Sequence, residues 1–483
     1  MSELRVEAMA AAELSRRAAA QVAQGARLAG LFALPRGAEL ELTALLFAGG
    51  ELVGLRAAVA PGDGYPSLTR RVPAAHWYER EIHDLHGIVP AGHPRLEPLV
   101  RHADGDLLAE RGGLEHRGHE RLGGPGVFLI PYGPVRSGVF EAAQFLVQTS
   151  GEDVAYCAQR LFFKRRGAER RICEVPLEQA VLVAERVSGT ASVAHAIAFA
   201  QAVEALAAIE APPRARAARS LLAELERLHN HTEVIVRECE DAALTVAQAS
   251  FAALKERLHR LAAELTGSRF LRGVVVPGGI ACDLEPDALA RLPAALAEWR
   301  RDYAASLGLL MRTDSFLDRL ITAGPLSEAD ARDFACVGPV ARASGVDLDV
   351  RRDLPYAAYD PGAIEPPLGH DGDAMARLEV RFAEIEASLA LAGQLAASLP
   401  AGPLSLPLPP LAREEAVGCA EAPRGELVYY LRAAGERALA ACRIRTPSLA
   451  NFGVFNRLFE GQVLTDFAFI EHSLGLSPAG CDR

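Results

Sequence analysis

Ala215–Glu240 reads ARAARSLLAELERLHNHTEVIVRECE, and this stretch decides the fold. It is rich in Ala and Leu and gathers its charges on one face, the pattern of a long amphipathic helix. Leu177–Glu185, Ala191–Ile209, Ala242–Leu265, Glu285–Leu309 and Asp373–Leu399 are further helix candidates, so helix dominates from Leu177 onward. Pro361–Pro367 and Pro400–Pro410 read as Pro-rich connectors, and Glu426–Tyr430 with Ala438–Arg443 as a strand pair. No repeat at a fixed period is visible.

Upstream the signals are shorter and mixed. Ala11–Leu31 reads as a helix, and Glu39–Phe47 and Leu52–Val59 as two strands around a Gly49-Gly50 hairpin. His76–His86 reads as an amphipathic helix stopped by Gly87, followed by a turn at Gly92-His93-Pro94. His102–Gly126 is rich in Gly and charge, like a linker. The expected fold class is therefore α+β. A small α+β domain spans residues 1–105, a linker 106–126, and a large, mainly α-helical domain 127–483.

The 483 residues are 50% hydrophobic and 23% charged, which excludes disorder as the main state. The formal charge of −11 argues against a nucleic-acid partner. Lys164 and Lys255 are the only lysines among 51 basic residues, a bias that coding composition accounts for. Met1–Ala20 has no apolar signal core, and Ser192–Ile209 is interrupted by His195, Gln201 and Glu204, so neither a signal peptide nor a transmembrane segment is expected. The eight cysteines include no C-x-x-C and read as buried reduced thiols.

His83 and His86, and Glu79 with His83, share a helix face, but a metal site there lacks a third ligand, and a packed or interface helix is preferred. His229 and His231 point to different faces. The basic run Lys164–Arg171 suits an anion or a partner contact, and on an acidic chain the partner contact is favoured. Pro423-Arg424-Gly425 is a turn able to fix a guanidinium at a pocket, or an ordinary turn. Ser188-Gly189-Thr190 precedes a helix and could cradle an anion, without the residues of a nucleotide loop.

Trp77-Tyr78-Glu79-Arg80-Glu81, then Asp84, Gly87-Ile88 and Gly92-His93-Pro94, resemble the signature of the C-type subunits of respiratory complex I. The matching N-terminal part of formate-hydrogenlyase-type hydrogenases is similar. The resemblance implies that Trp77, Glu79, Arg80 and His93 form a subunit-docking helix and turn. The run Val337-Gly338-Pro339-Val340-Ala341-Arg342-Ala343-Ser344-Gly345, with Asp349, Arg351 and Pro355-Tyr356, is the most specific of a second set. Others are Gly133–Glu141, Arg165–Glu169 (Arg165 in the His place of a His-Arg-Gly-x-Glu turn), Leu265–Arg269, Pro277-Gly278-Gly279, Glu421–Glu426 and Arg445–Ser448. This set resembles the nickel–iron hydrogenase large subunit, of formate hydrogenlyase or hydrogenase-4 type, and its relative, the quinone-site D-type subunit of complex I.

The departures from that family carry the functional reading. Its catalytic members hold nickel with four cysteines, because redox-active metals that bind hydride need soft thiolates. The corresponding positions here are Ser188, Ala191, Ser477 and Gly480, and Cys481 lies one residue off the pattern. The resemblance then implies no metal held by this chain, no hydrogen chemistry, and no maturation tail beyond Arg483. The family's quinone ligands are absent too: Arg136 and Ser137 stand where a His is usual, and no Tyr occurs between Tyr156 and Tyr303. A cavity lined by Ser188, His195, Arg424 and Ser477 is expected, with Arg136, Glu141, Arg165 and Glu169 at its mouth or at a partner contact.

The implied role is a subunit on the cytoplasmic side of a membrane complex, binding no cofactor itself. It would pack against a small iron–sulfur subunit, whose cluster supplies electrons, and sit on antiporter-like membrane subunits. The electrons would pass to a quinone or similar carrier, coupled to ion movement. The alternatives are an inert scaffold and, ranked last, an active nickel–iron hydrogenase.

Overall fold

The computed structural model describes residues 4–60, 62–100, 122, 124, 126–136 and 141–483. Most of the expected linker 106–126, and Ser137–Phe140, lie outside the described residues. The first unit is a four-stranded sheet in the order Arg5–Ala8, Glu51–Val59, Glu39–Ala48, Arg27–Arg36, with only the first pair parallel. Helix Ala11–Ala23 covers it through Leu14 and Ala18, both fully buried. At the hairpin, Gly49 and Gly50 take φ of +58° and +81°, which a two-residue turn matched to strand twist requires.

The helix expected over Ala11–Leu31 stops at Ala23. Gly25 turns left-handed at φ +98°, and the chain continues as strand Arg27–Arg36. Leu28–Leu34 are all buried, one face of the strand lying inside the first unit and the other against the second, where Phe32 meets Tyr430 at 4.9 Å. A strand covered on both faces is continuously apolar and lacks the alternation that marks a half-exposed one.

The second unit opens with an antiparallel sheet of Val127–Tyr132, Gln144–Ser150 and Asp153–Arg160. The expected long helices, here Pro213–Asp241, Thr245–Thr266, Pro286–Leu310 and Ala374–Ala397, pack on one another as a bundle. Glu285 and Asp373 cap two of them, accepting from Ala288 N and Ala376 N at 2.7 and 2.8 Å. Helix Ser192–Leu206 is buried nearly all round and lies at the centre. Against it packs an unanticipated strand, Glu415–Ala422, which joins Gly425–Ala433 and Leu439–Arg445 in a three-stranded antiparallel sheet. Its Gly418 lets the backbones approach; a Cβ there would lie 2.8 Å from Ala202 N.

The two units share one core. Arg27 donates to Glu426, which also accepts from Arg445 at 2.6 Å. Arg483 reaches Glu81 at 2.5 Å, and Trp77 lies between Phe162 and Phe452, its ring 5.9 and 6.5 Å from theirs.

Gly338 begins the short helix Gly338–Ala343 directly beneath the turn at Arg424-Gly425. Its φ is +66°, and a Cβ would fall 2.5 Å from Gly425 Cα. Gly338→Ala is expected to cost about 3 kcal/mol or more in denaturant unfolding. Gly308, in a helix with open space around it, is the control: Gly308→Ala should stabilise by about 0.5–1 kcal/mol.

Candidate functional site

Ser188, Ala191, Ser477 and Gly480, the positions that the resemblance set against metal ligands, lie in two turns of matching form. Ala191 N donates to Ser188 O at 3.1 Å, and Gly480 N to Ser477 O at 3.0 Å. Arg166 ties the turns together, donating to Arg186 O at 2.9 Å, to Val187 O, and to Ala479 O at 2.6 Å. Asn230 holds Thr190 O at 3.0 Å. Glu226 accepts from Val193 N and Ala194 N at 2.7 and 3.0 Å, closing the open N-terminus of the central helix. On the other turn, Glu141 accepts from Ser477 Oγ at 2.8 Å and Ala479 N at 2.6 Å, and Thr446 Oγ1 donates to Gly480 O at 2.8 Å.

The donors at these positions are few and already engaged. Ser188 Oγ lies 3.2 Å from Thr190 Oγ1, Ser477 Oγ serves Glu141, and Ala191 and Gly480 bring no side-chain donor. A Cβ at Gly480 would sit 3.2 Å from Thr446 Oγ1, so hydroxyl side chains crowd that position. Among the described residues, no group of three or more His, Cys, Asp or Glu side chains is placed to hold a metal ion. Cys481 is buried, and burial raises its thiol well above the usual range.

Arg424 occupies the turn between strands Glu415–Ala422 and Gly425–Ala433. Its Nε and Nη1 are enclosed without a partner among the described residues. Burial lowers the guanidinium to about 10 against the pull of Glu141, Glu233 and Glu226. His195, one turn into the central helix, is buried with Nδ1 2.7 Å from the Tyr429 hydroxyl. Burial drives it down to about 3, so it is neutral at physiological pH.

The other predicted residues serve separate contacts. Arg136 donates to both oxygens of Glu471 at 2.7 Å and lies over the Tyr132 ring. Glu169 accepts from Ile444 N and Arg443 at 2.7 and 2.8 Å, while Arg165 is exposed. Within the docking group, and among the described residues, Trp77 reaches the second unit, at Phe162 and Phe452. Glu79 is fully enclosed and accepts from Ser67, Leu68 and Thr69, Arg80 binds the Glu97 and Pro98 carbonyls, and His93 stacks on His76. The His229 ring lies 4.7 Å from that of His259, tilted by 40°, whereas His231 meets Glu384, in keeping with different faces.

A buried ionic cluster behind the Arg424 turn was not anticipated. Arg342 donates to Glu384 at 2.6 Å and Glu421 at 3.0 Å, and Arg351 to Asp349 at 2.7 Å and Glu224 at 3.1 Å. Arg227 bonds Glu421 O at 2.8 Å, and His231 Nε2 lies 2.8 Å from Glu384. Glu224, Arg227 and His231 recur on one side of the long helix, so the sequence signal was charge within the buried stripe. Three guanidiniums face four carboxylates, so the cluster holds one more carboxylate than guanidinium. Burial and the neighbouring Asp349 push Glu421 up to about 7. Burial also opposes ionisation of Glu384, but Arg342 and His231 outweigh it and hold its pKa well below the usual range.

Comparison with known proteins agrees with this architecture. The family model described as "Respiratory-chain NADH dehydrogenase, 49 Kd subunit" matches residues 242–411 and 408–483, and the corresponding 30 Kd subunit model matches residues 7–108. Formate hydrogenlyase subunit 5 of Escherichia coli (strain K12) is 30% identical over 87% of this chain and 77% of its own length. The NADH-quinone oxidoreductase C/D subunit of Bdellovibrio bacteriovorus is 26% identical over 89% and 85% respectively. Hydrogenase-4 component G of Escherichia coli (strain K12) is 29% identical over 87% and 76%. The chain belongs to the respiratory-chain NADH dehydrogenase 49 Kd subunit family, with a 30 Kd subunit domain fused ahead of it.

The charge count makes a pH prediction. A raised acid such as Glu421 supports folding below the ordinary carboxylate range, and that support fades as pH rises through about 7. Chemical denaturation should show the wild type losing on the order of 2 kcal/mol between pH 5 and 8 from this group, and Glu421→Gln losing less. Glu384→Gln, which leaves Arg342 under-compensated, should cost about 3–5 kcal/mol at pH 7.

Proposed function

We propose that this chain is a metal-free subunit of a membrane-associated, complex I-like oxidoreductase complex. It supports electron transfer from an iron–sulfur cluster in a small partner subunit to a quinone or similar carrier, coupled to ion movement through antiporter-like membrane subunits. The observation that carries the reading is the donor set at the two turns: two engaged hydroxyls, an Ala and a Gly. Such a set does not fit nickel and iron that cycle through redox states. A quinone acceptor follows the name of the NADH-quinone oxidoreductase relative. Among the described residues no helix is long and apolar enough to cross a membrane, which suits a peripheral position.

In this reading Arg424 supplies the recognition chemistry. Its Nε and Nη1, without a partner among the described residues, suit a carbonyl or anionic oxygen. A second reading, an inert scaffold, draws support from the bonds that already engage Ser477, Glu141 and Thr446.

The test is metal content and turnover of the complex extracted gently from membranes. Iron in cluster-sized amounts without nickel, with quinol formed from a reduced donor, is expected, and Arg424→Ala should cut the turnover about tenfold or more. About one nickel per chain would refute the metal-free assignment. Intact assembly with no quinol formed would favour the scaffold.

A further inference from the structure

Three helices of the large domain, Pro213–Asp241, Ala374–Ala397 and Phe467–Leu474, pack on one another. Between them lies Glu238, fully buried, with both carboxyl oxygens enclosed and without a hydrogen-bond partner among the described residues. The second helix brings Arg377 and Arg381 to the same region, yet both guanidiniums are spent on uncharged groups. Arg377 donates to Ser473 Oγ at 2.9 Å and to the Gly324 and Gly372 carbonyls at 2.9 and 2.6 Å. Arg381 donates to Arg377 O at 2.8 Å and to Leu474 O at 3.2 Å. Its Nε is enclosed and has no partner among the described residues.

An ionised carboxylate without a donor is strongly disfavoured in the interior, so Glu238 keeps its proton. Burial, helped by Asp241, outweighs the pull of Arg377 and Arg381 and holds the carboxyl well above the usual range. Glu384, one turn beyond Arg381, is already taken up by Arg342 and His231. A way to solvent lies at the helix end. Asp241 follows Glu238 by one turn on the same face and pairs with His472 of the third helix. The side chains of Asp241 and His472 are 13% and 16% exposed.

We propose that Glu238 is a proton-binding site whose loading sets how firmly the Ser477 turn is held. Loaded, the carboxyl is neutral and leaves Arg381 to hold Leu474 O, at the end of the third helix. Unloading breaks the carboxyl O–H bond, and the proton passes to the Asp241–His472 pair and on to solvent. The carboxylate left behind takes Arg381 as its counter-ion through the unused Nε, and the longer of the two Arg381 bonds, to Leu474 O, is given up. Gly475 bends the chain just beyond at φ +65°, and a Cβ there would lie 3.0 Å from Arg381 Nη2. The guanidinium thus rests against the bend that leads to Ser477, and proton loss loosens it. The site stands independently of the function proposed for the chain.

Hydrogen exchange followed by mass spectrometry on the purified full-length chain tests this. Wild type and Glu238→Gln are compared at matched pH, so that base catalysis of exchange cancels. At about pH 6 the amides of residues 467–480 should exchange equally in both. By about pH 9 the wild type should exchange there about tenfold or more faster, while the variant keeps its protection. Infrared spectra at about pH 7 should show a neutral carboxylic acid band in the wild type that the variant lacks. Glu238→Met, of similar volume and without oxygen or nitrogen in its side chain, is the second variant. It should fold and keep the same protection, because no hydrogen bond is lost. Equal exchange at both pH values, faster exchange in the variants at the lower one, no band lost, or failure of both variants to fold overturns the proposal.

Discussion

Arg342 is fully buried between Glu384 and Glu421, and the large domain is built to keep that charge compensated. Glu384 comes from the Ala374–Ala397 helix, Glu421 from the strand that ends at the Arg424 turn, and Arg342 from the short helix that Gly338 starts. Removing one partner of a buried pair leaves a charge without water or counter-ion, a penalty of several kcal/mol. Three elements far apart in sequence are thereby locked to one another. The two glycines at 338 and 425 permit the backbone approach that brings them into reach.

That lock also carries the candidate site. Arg424 projects from the turn whose preceding strand supplies Glu421, so the guanidinium is positioned by the cluster behind it. The turns at Ser188 and Ser477 are closed by backbone hydrogen bonds and joined through Arg166. Hydroxyl groups, a carboxylate and carbonyls hold these turns. Ordinary hydrogen bonds, each worth about 1 kcal/mol but many in number, hold these turns in place.

The first unit is held to the second by the same kind of interaction at smaller scale. Glu426 is shared between Arg27 and Arg445, and Trp77 is packed between Phe162 and Phe452. Trp77 of the expected docking group therefore packs within this one polypeptide. The apolar strand Leu28–Leu34 is part of that junction, which is why its pattern misled: its outer face is covered by Tyr430 and its neighbours, remote in sequence.

Local pattern determined the long helices, the Gly49-Gly50 hairpin and the stop at Gly87, because helix periodicity, capping and left-handed glycine are properties of neighbouring residues. That Ser188, Ala191, Ser477 and Gly480 are not cysteines was equally legible, since a residue's own chemistry needs no coordinates to notice. The strand Glu415–Ala422 was not legible: Ala, Gly and Glu have little strand preference, and only burial against the central helix makes it one. Nor did the sequence show which charges inside the buried stripe of Ala215–Glu240 would meet which partners. Those facts depend on distances between segments remote in sequence, and tertiary packing alone decided them.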